Sequence, residues 1–333
     1  MKVTIEKLLD QNSLTQEEAR EVMDKIMSGK YDDAQISGFL IALRAKGENY
    51  EEIAGFAQAM RDKMTPINSV EDAIDMCGTG GDALGTFNIS TAASFVVAGA
   101  GVPVAKHGNR SMTSKSGSAD VLTALGVDIT LPPEKVSECI QKIGIGFMFA
   151  PSLHPAMKYA MGARKALGTR TVFNILGPLC NPAGVKRQLI GIFDGNLTDK
   201  VAKVLQRLGS THAMVVHGNE GLDEISTTDD TKYTELTSDG TIKSGTLAPS
   251  SFGFTTTDLE SLKGGEPDEN AEIIWSIFNG ETGPRRDIVV FNAGAGIKVG
   301  GKAESLTDGI NLAKESIDSG SAKNILESLA AVK

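Results

Sequence analysis

The chain has 333 residues, of which 41% are hydrophobic and 23% are charged, and its formal net charge is −9 at pH 7. These proportions are typical of a globular protein with one large domain or two smaller ones. The negative balance argues against binding to nucleic acid or to an anionic membrane, since both need a basic surface. An anionic ligand would need a locally positive site.

Three cysteines, Cys77, Cys139 and Cys180, show no metal-binding spacing, and their odd number favours a reducing compartment. The first 20 residues carry charges throughout and do not resemble a signal peptide. The longest apolar runs are well below the roughly 18 residues that a membrane-spanning helix needs. We therefore expect a cytoplasmic protein that does not enter a membrane.

About the first 65 residues are predicted to be helical. Ser13 or Thr15 is a candidate N-cap, followed by acidic residues in the first turn. Apolar residues within 34–43 and 53–60 predict two more helices, and Pro66 ends this helical block.

From Val70 onwards, short apolar runs alternate with helical stretches. We predict strands at 73–76, 102–105, 127–131, 145–150, 189–193 and 213–216, with helices at 89–99, 118–125, 133–143 and 197–208. This alternation predicts a mostly parallel sheet covered by helices. Residues 153–182 interrupt the alternation with more helix and then the rigid loop NILGPLCNPAG, and this insert can pack on the N-terminal helices. The last third predicts a hairpin of 231–236 with 241–247 and helices at 268–279, 304–318 and 321–331.

The stretch DMCGTGGD at 75–82 places three glycines between a predicted strand and a predicted helix. Backbone N–H groups in such a loop, together with the helix N-terminus, attract an anion. Asn88, Ser90 and Thr91 can cap this helix or hydrogen-bond to a phosphate. Asp82 suits a ligand that also carries hydroxyl groups. A tight turn without a ligand remains an alternative.

Two familiar glycine loops do not fit this stretch. The spacing from Gly78 to Ala83 matches a dinucleotide-binding loop, but the next strand ends in Lys106 and His107 rather than in a ribose-binding acid. A P-loop would need a lysine immediately before Thr86, where Gly85 stands.

A second loop, at residues 106–118, contains three cations, four serines, one threonine and two glycines. Lysine, hydroxyl and amide groups all donate to oxyanions, which favours a polyphosphate lid over a plain solvated connection. Ser118 is predicted to cap the following helix. Because the two loops follow adjacent strands, both should lie at the carboxyl edge of the sheet.

Two charged features remain open from the residues alone. Asp223 and Glu224 follow the strand predicted at 213–216, where they are either a solvated pair or Mg²⁺ ligands facing a polyphosphate. Arg164 shares a predicted helical stripe with apolar residues 153, 157, 160, 161 and 167. It either reaches out to water or meets an anion such as a carboxylate. His212 and His217 bracket a strand and are expected to be structural.

Together these segments resemble the anthranilate phosphoribosyltransferases, a family of tryptophan biosynthesis. The resemblance covers nearly the whole chain and rests on DMCGTGGD, FNIST, KHGNRSMTSKSGSADVLTALG, HPAMKYAMGARKALGTRTVFNILGPLCNPA and GLDEIS. It implies an α/β fold in which a small all-helical domain (1–68 with 155–186) is hinged to a large domain (69–154 with 187–333) with a mostly parallel central sheet flanked by helices. It also implies a homodimer formed through the helical part.

The implied reaction transfers phosphoribose from phosphoribosyl pyrophosphate (PRPP) to the amine of anthranilate and releases pyrophosphate, with Mg²⁺ as the cofactor. The implied PRPP-binding residues are Gly78, Gly81, Asp82, Thr86, Asn88, Ile89, Ser90, Thr91, Lys106, His107, Gly108, Asn109, Arg110, Ser111, Met112, Thr113, Ser114 and Ser118. Gly78, Asn109 and Arg164 match anthranilate contacts, and Ser90, Asp223 and Glu224 match Mg²⁺ ligands. No single catalytic acid or base is implied.

Chemically, the protein must neutralise a departing pyrophosphate, which suits Mg²⁺, Lys106 and amide dipoles. The arylamine nucleophile is uncharged and needs no strong base.

A rival function is that of a pyrimidine nucleoside phosphorylase, whose first glycine loop carries Lys-His-Ser-Thr-Gly-Gly; here Met76 and Cys77 precede the loop. A non-catalytic relative that binds nucleic acid conflicts with the net charge of −9.

Overall fold

A computed structural model of the chain describes residues 1–81, 84–111 and 115–333. The predictions made for Asp82, Met112, Thr113 and Ser114 lie outside the described residues. No helix in the described ranges is both long and apolar enough to cross a bilayer.

Four helices form the N-terminal part: α1 (Lys2–Leu9), α2 (Gln16–Met27), α3 (Asp33–Lys46) and α4 (Tyr50–Arg61). Capping boxes begin the last three, at Thr15, Asp32 and Asn49. In each, a side chain accepts a hydrogen bond from a backbone N–H of the first turn. Of the two predicted caps for α2, Thr15 is the one used.

Within the described part of the chain, seven strands form one sheet: β1 (Ile74–Gly78), β2 (Val104–Gly108), β3 (Ile145–Phe149), β4 (Arg187–Gly191), β5 (His212–Gly218), β6 (Thr231–Leu236) and β7 (Ile242–Leu247). Their order is β3-β2-β1-β4-β5-β6-β7. The pairs among the first five are parallel, and β6 and β7 form the predicted antiparallel hairpin. The mostly parallel sheet is therefore confirmed.

The remaining helices are α5 (Ile89–Gly99), α6 (Ser118–Ala124), α7 (Pro133–Lys142), α8 (Ala150–Leu153), α9 (Lys158–Leu167), α10 (Phe173–Leu179), α11 (Thr198–Arg207), α12 (Pro267–Phe278), α13 (Pro284–Val299), α14 (Leu306–Asp318) and α15 (Ser321–Ala330). Helix α5, which is buried along most of its length, packs against α13, α14 and α15 on one face of the sheet. Helix α11 packs against β5, β6 and α4 on the other side.

The segment between β3 and β4 packs on the N-terminal helices, as predicted. Helix α9 contacts α2 and α3, and α10 contacts α4. The predicted rigid loop is shorter than expected, because Phe173–Leu179 is helical and only the residues after it form the loop.

The strand predicted at 127–131 is wrong. These residues form the turn between α6 and α7, where the Asp128 carboxylate accepts hydrogen bonds from the backbone N–H and hydroxyl of Thr130. Val127 and Ile129 are buried without strand pairing. The apolar residues of 127–131 therefore indicate burial and not a strand.

Helix α13 was not predicted, because it contains Gly294 and Gly296 and has no polar face. Its glycines serve close packing between helices. A Cβ at Gly294 would lie 2.8 Å from the backbone nitrogen of Ile310 in α14. All but five of the residues of α13 are buried, so the amphipathic pattern that marks a surface helix is missing.

Candidate active site

The predicted site residues gather at the carboxyl edge of the sheet, around β1. Strands β2 and β4 lie on opposite sides of β1, so the order of the sheet reverses here. Ligands of open α/β sheets bind at such a reversal, beyond the carboxyl ends of the strands. The loops after β1, β2 and β5 therefore face one region.

The glycine loop (residues 79–88, after β1) is held against the loop after β5. The backbone N–H of Gly80 donates to Oδ2 of Asp223 at 2.7 Å. A Cβ at Gly78 would lie 2.3 Å from the same oxygen, so only glycine permits this approach. Gly80, Gly81 and Gly85 have positive φ, which glycine adopts at no steric cost.

Asn88 is the N-cap residue of α5, but its side chain accepts no hydrogen bond from the first turn of the helix. Instead, the backbone N–H of Ser90 donates to Oε1 of Glu224 at 3.0 Å. The Asn88 amide turns to Ser116: its Nδ2 donates to the Ser116 carbonyl (3.2 Å), and its Oδ1 accepts from the Ser116 hydroxyl (3.1 Å). These bonds join the glycine loop to the second loop.

The second loop (residues 109–117, after β2) begins three residues later than predicted, because Lys106, His107 and Gly108 belong to β2. Ser118 is the first residue of α6, and Gly117 is its N-cap, which corrects the predicted cap. Asn109 remains in the loop, where its carbonyl accepts from the Ser118 hydroxyl.

Asp120, which the sequence did not single out, organises the second loop. Its carboxylate accepts from the backbone N–H groups of Ser111 (3.1 Å) and Gly117 (2.9 Å) and pairs with Arg110 at 2.7 Å. This is half of a capping box, because Asp120 accepts from the N–H of the N-cap residue and Gly117 has no side chain to complete it. An acid in the first turn of a predicted helix was the available signal.

The acidic pair lies beside the start of α5. Asp223 is buried, and burial together with repulsion from Asp223 raises the pKa of Glu224 to about 8. Among the described residues, no lysine or arginine makes an ion pair with Glu224. Lys106 acts on Glu224 only at longer range. The structure thus brings together Ser90, Asp223 and Glu224, the three residues predicted to bind Mg²⁺.

This donor set fits Mg²⁺. The described residues contain no group of three or more His, Cys, Asp or Glu side chains that could hold a metal ion. Mg²⁺ commonly takes one or two carboxylates and completes its shell with ligand oxygens and water. Two adjacent carboxylates, one with a raised pKa, are a place where a cation lowers the electrostatic cost.

Lys106 lies under the site rather than in a surface loop. It is 3% exposed, and its Nζ donates to the Met76 carbonyl at 2.6 Å. Burial lowers the pKa of Lys106, while Asp75 opposes that shift. Its charge therefore acts on the site from below.

Asp75, a buried acid in β1, was also missed. Its carboxylate accepts from the His107 backbone N–H (3.0 Å) and from Nδ2 of Asn181 (2.7 Å), and burial raises its pKa. Asn181 also donates to the Ala105 carbonyl at 2.9 Å. An acid inside an apolar strand was the signal for this network.

His107 and His154 meet below the second loop, with their Nε2 atoms 3.2 Å apart. Burial lowers the pKa of His107 to about 3 and that of His154 to about 4. Both are therefore neutral near pH 7. His212 and His217 bond to Glu235 and to the Ile192 carbonyl, in line with the structural roles expected for them.

Arg164 is half-buried in α9, 5.3 Å from the ring centroid of Phe173. Burial lowers its pKa, and no carboxylate of a described residue makes an ion pair with it. The continuous stripe predicted around it is wrong, because α8 ends at Leu153 and α9 starts at Lys158, and Met161 is 39% exposed.

Arg170 connects the helical segment to the glycine loop and was not predicted. Its Nη2 donates to the Gly81 carbonyl, and its guanidinium lies 4.2 Å from the ring centroid of Phe193. Arg44 of α3 in turn donates to the Arg170 carbonyl at 2.6 Å.

Residues 70–323 match the glycosyl transferase family, a/b domain, and residues 2–64 match its helical bundle domain. The anthranilate phosphoribosyltransferase of Acetivibrio thermocellus is 53% identical over 330 residues, which cover 98% of this chain and 95% of that protein. The crystal structure of the Thermus thermophilus enzyme of that name is 43% identical, with a TM-score of 0.93 and 98% of each chain covered. The Saccharomyces cerevisiae enzyme in complex with PRPP and Mg is 28% identical, with a TM-score of 0.89, covering 99% of this chain and 98% of that one.

Proposed function

Because the chain belongs to the anthranilate phosphoribosyltransferase family, we propose that it transfers phosphoribose from PRPP to the amine of anthranilate and releases pyrophosphate. The reaction is the second step of tryptophan biosynthesis from chorismate, and the enzyme is a pentosyltransferase. The observation that carries this proposal is the meeting of two donor-rich loops with the pair Asp223 and Glu224 at one edge of the sheet.

PRPP is proposed to bind between the two loops. The N-terminus of α5 and the cations Lys106 and Lys115 supply positive potential there in a chain of net charge −9. The residues assigned to PRPP are those that the family resemblance implies, from Gly78 to Thr91 and from Lys106 to Ser118. Lys106 adds a buried positive charge below them.

Mg²⁺ is proposed to be held by Ser90, Asp223 and Glu224. When bound, it neutralises charge on the pyrophosphate oxygens of PRPP. The solved yeast relative in complex with PRPP and Mg supports Mg²⁺ as the cofactor, and the choice of these three ligands rests on the family resemblance and on their proximity.

Anthranilate is proposed to lie on the side of α9, with its carboxylate on Arg164. A half-buried guanidinium that pairs with no carboxylate of the described residues matches that anion in charge and in planar shape. Gly78 and Asn109 are assigned to the same substrate. A solved yeast relative holds 4-fluoroanthranilate, which supports a site for this compound class.

The chain's own groups account for catalysis by charge and position. As the bond from the anomeric carbon to pyrophosphate breaks, negative charge grows on the leaving group, and Lys106 with the loop amides stabilises it. Arg164 holds the nucleophile so that its amine faces the anomeric carbon. No strong general base is needed, because the amine of anthranilate is uncharged when it attacks and the arylammonium that forms is acidic enough to give its proton to water.

A homodimer formed through the helical part is also proposed. Val3 and Leu9 of α1 and Ile41 of α3 are 82%, 57% and 43% exposed, and these two helices pack against each other. A second copy of the chain would cover these apolar side chains. Light scattering of the wild type and of an Ile41→Asp variant tests this, with a dimer expected only for the wild type.

The proposed domain division follows the same packing. Residues 1–68 with 155–186 would move as one body relative to 69–154 with 187–333, since α9 and α10 pack on α2, α3 and α4. A cytoplasmic location is proposed as well, in line with the unpaired cysteines in this structure.

The decisive experiment follows the loss of anthranilate fluorescence with PRPP and Mg²⁺. We expect turnover that depends on both substrates and on the metal. A parallel reaction offers thymidine or uridine with inorganic phosphate. Phosphorolysis there, without loss of anthranilate, would replace the proposal with a nucleoside phosphorylase.

A further inference from the structure

A segment far along the chain borders the glycine loop. Residues 262–265 run beside it: the Phe87 N–H donates to the Leu262 carbonyl (3.1 Å), and the Gly264 N–H donates to the Gly85 carbonyl (3.0 Å). Thr86 and Lys263 form an antiparallel bridge between these two bonds. The second half of the glycine loop is therefore paired with this segment through backbone hydrogen bonds.

The contact is close enough to require glycine at position 264. A Cβ there would lie 2.6 Å from Cα of Phe87 and 2.4 Å from Oδ1 of Asn270. Atoms at these distances overlap, so the segment reaches both the loop and Asn270 only because it lacks a side chain at this point.

Asn270, on α12, uses both ends of its amide. It is 2% exposed; Oδ1 accepts from the Gly265 N–H at 2.8 Å, and Nδ2 donates to Oδ1 of Asn88 at 2.9 Å. A buried amide with both partners in place has one preferred orientation.

That orientation determines how Asn88 lies. Because Asn270 donates to Oδ1 of Asn88, the Asn88 Nδ2 points to the Ser116 carbonyl. The Ser116 hydroxyl also donates to Oδ1 of Asn88. One amide from α12 thus aligns the side chain that joins the glycine loop to the second loop.

We propose that Asn270 is a positioning residue for PRPP, which sets the orientation of Asn88 and thereby the spacing of the two loops. The inference rests on the proposed function, since it assigns PRPP to these loops. Asn270 acts through Asn88, so its effect should appear in PRPP binding more than in anthranilate binding.

The test is Asn270→Asp. This change keeps the size of the side chain and the acceptor for Gly265, but it places an oxygen where Nδ2 faced Asn88. Either two oxygens oppose each other, or the Asn88 amide flips and directs its oxygen at the Ser116 carbonyl. We expect the KM for PRPP to rise about tenfold, the size of one lost buried hydrogen bond. The KM for anthranilate should stay within about twofold and the Mg²⁺ titration unchanged.

The matched control is Asn279→Asp at the C-terminal end of the same helix, where the side-chain oxygen accepts from Lys323 at 2.9 Å. This variant should keep the wild-type KM for both substrates. If Asn270→Asp does not fold, Asn270→Ser is measured instead, since serine is too short to reach Asn88.

An unchanged KM for PRPP in the folded variant would overturn the inference, and so would equal changes in both KM values with a lowered Tm, which indicate a structural role alone. Failure of the proposed function is a separate result, because the wild type itself would then not consume anthranilate and PRPP.

Discussion

Two glutamates at opposite edges of the sheet, the buried Glu235 and the half-buried Glu224, differ in what surrounds them. Glu235, on β6, bonds to His212 at 2.8 Å and to Lys298 at 2.7 Å. Burial alone would raise the pKa of Glu235, but these two partners lower it below its usual value. Glu224 has a second carboxylate beside it, and its pKa rises to about 8. The fold supplies partners for the charge of Glu235, whereas the pKa of Glu224 favours its protonated form unless a cation binds, which makes Glu224 a candidate metal ligand.

The largest effect is expected from removing the charges of the acidic pair. Asp223→Asn with Glu224→Gln should lower kcat/KM at least about a thousandfold, or about 4 kcal/mol. It should also raise the Mg²⁺ concentration needed for half-maximal activity. Stability should stay the same or increase, because the cost of holding two acidic side chains next to each other is removed.

Mg²⁺ titrations of activity and urea unfolding of the same preparation measure both parts. A wild-type Mg²⁺ titration in the double variant would remove these residues from the metal site.

Removing the charge of Glu235 is expected to lower stability without changing substrate binding. Glu235→Gln leaves Lys298 with no charged partner in a mostly buried position and should reduce the free energy of unfolding by about 3 kcal/mol. The KM values should stay near wild type, since this site is remote from both loops. Urea unfolding measures the loss, with Glu327→Gln on the exposed face of α15 as the control. Lost activity with unchanged stability would contradict the structural role.

Arg164 extends the comparison to a cation. Arg164→Ala should raise the KM for anthranilate by the equivalent of about 1–3 kcal/mol, the range for a hydrogen bond to a charged group. Steady-state kinetics with each substrate varied in turn measures this, and Lys165→Ala at the exposed neighbouring position is the control. A change confined to the KM for PRPP would argue against the assigned carboxylate contact.

The smallest effect concerns the pair His107 and His154. Their pKa values are lowered in the folded protein, so the unfolded chain binds more protons below the ordinary histidine pKa of about 6.5. Stability is therefore complete above pH 6.5 and falls with pH toward the folded values of about 4 and about 3.

His154→Gln should reduce the loss of unfolding free energy between about pH 7 and pH 5.5 by roughly 1 kcal/mol. Urea titrations at several pH values measure the slope. An identical slope in wild type and variant would show that His154 takes up its proton equally well in the folded and unfolded chains.

Local sequence predicted most of the large-domain architecture. Strand–glycine–helix order placed the loops after β1 and β2 on neighbouring parallel strands, and the acids after β5 reached the same edge. Glycines at positions 101, 126, 144 and 209 end helices with positive φ, and those at 101, 144 and 209 lead into strands. Hydrophobic periodicity and the residue types of turns are local properties of the sequence, which is why these features could be predicted.

Contacts between residues that are far apart in the sequence could not be predicted in this way. Asn270 and Asn88 are 182 residues apart, and Arg170 and Gly81 are 89 apart. Nothing in the neighbourhood of either residue distinguishes it from a surface side chain. Likewise, α13 lacks an amphipathic pattern because it is enclosed on nearly all sides.

The lack of side chains at Gly78 and Gly191 determines how closely the loop that carries Asp223 and Glu224 packs on the sheet. A Cβ at Gly191 would come within 1.6 Å of the Asp223 carbonyl oxygen, and one at Gly78 would meet the carboxylate of the same residue. The carboxyl ends of β1 and β4 therefore carry no side chain at these two positions, and the backbone and carboxylate of Asp223 occupy that space. Any larger residue at either position would lift the acids away from the start of α5, so attempts to alter substrate preference should leave these two glycines in place.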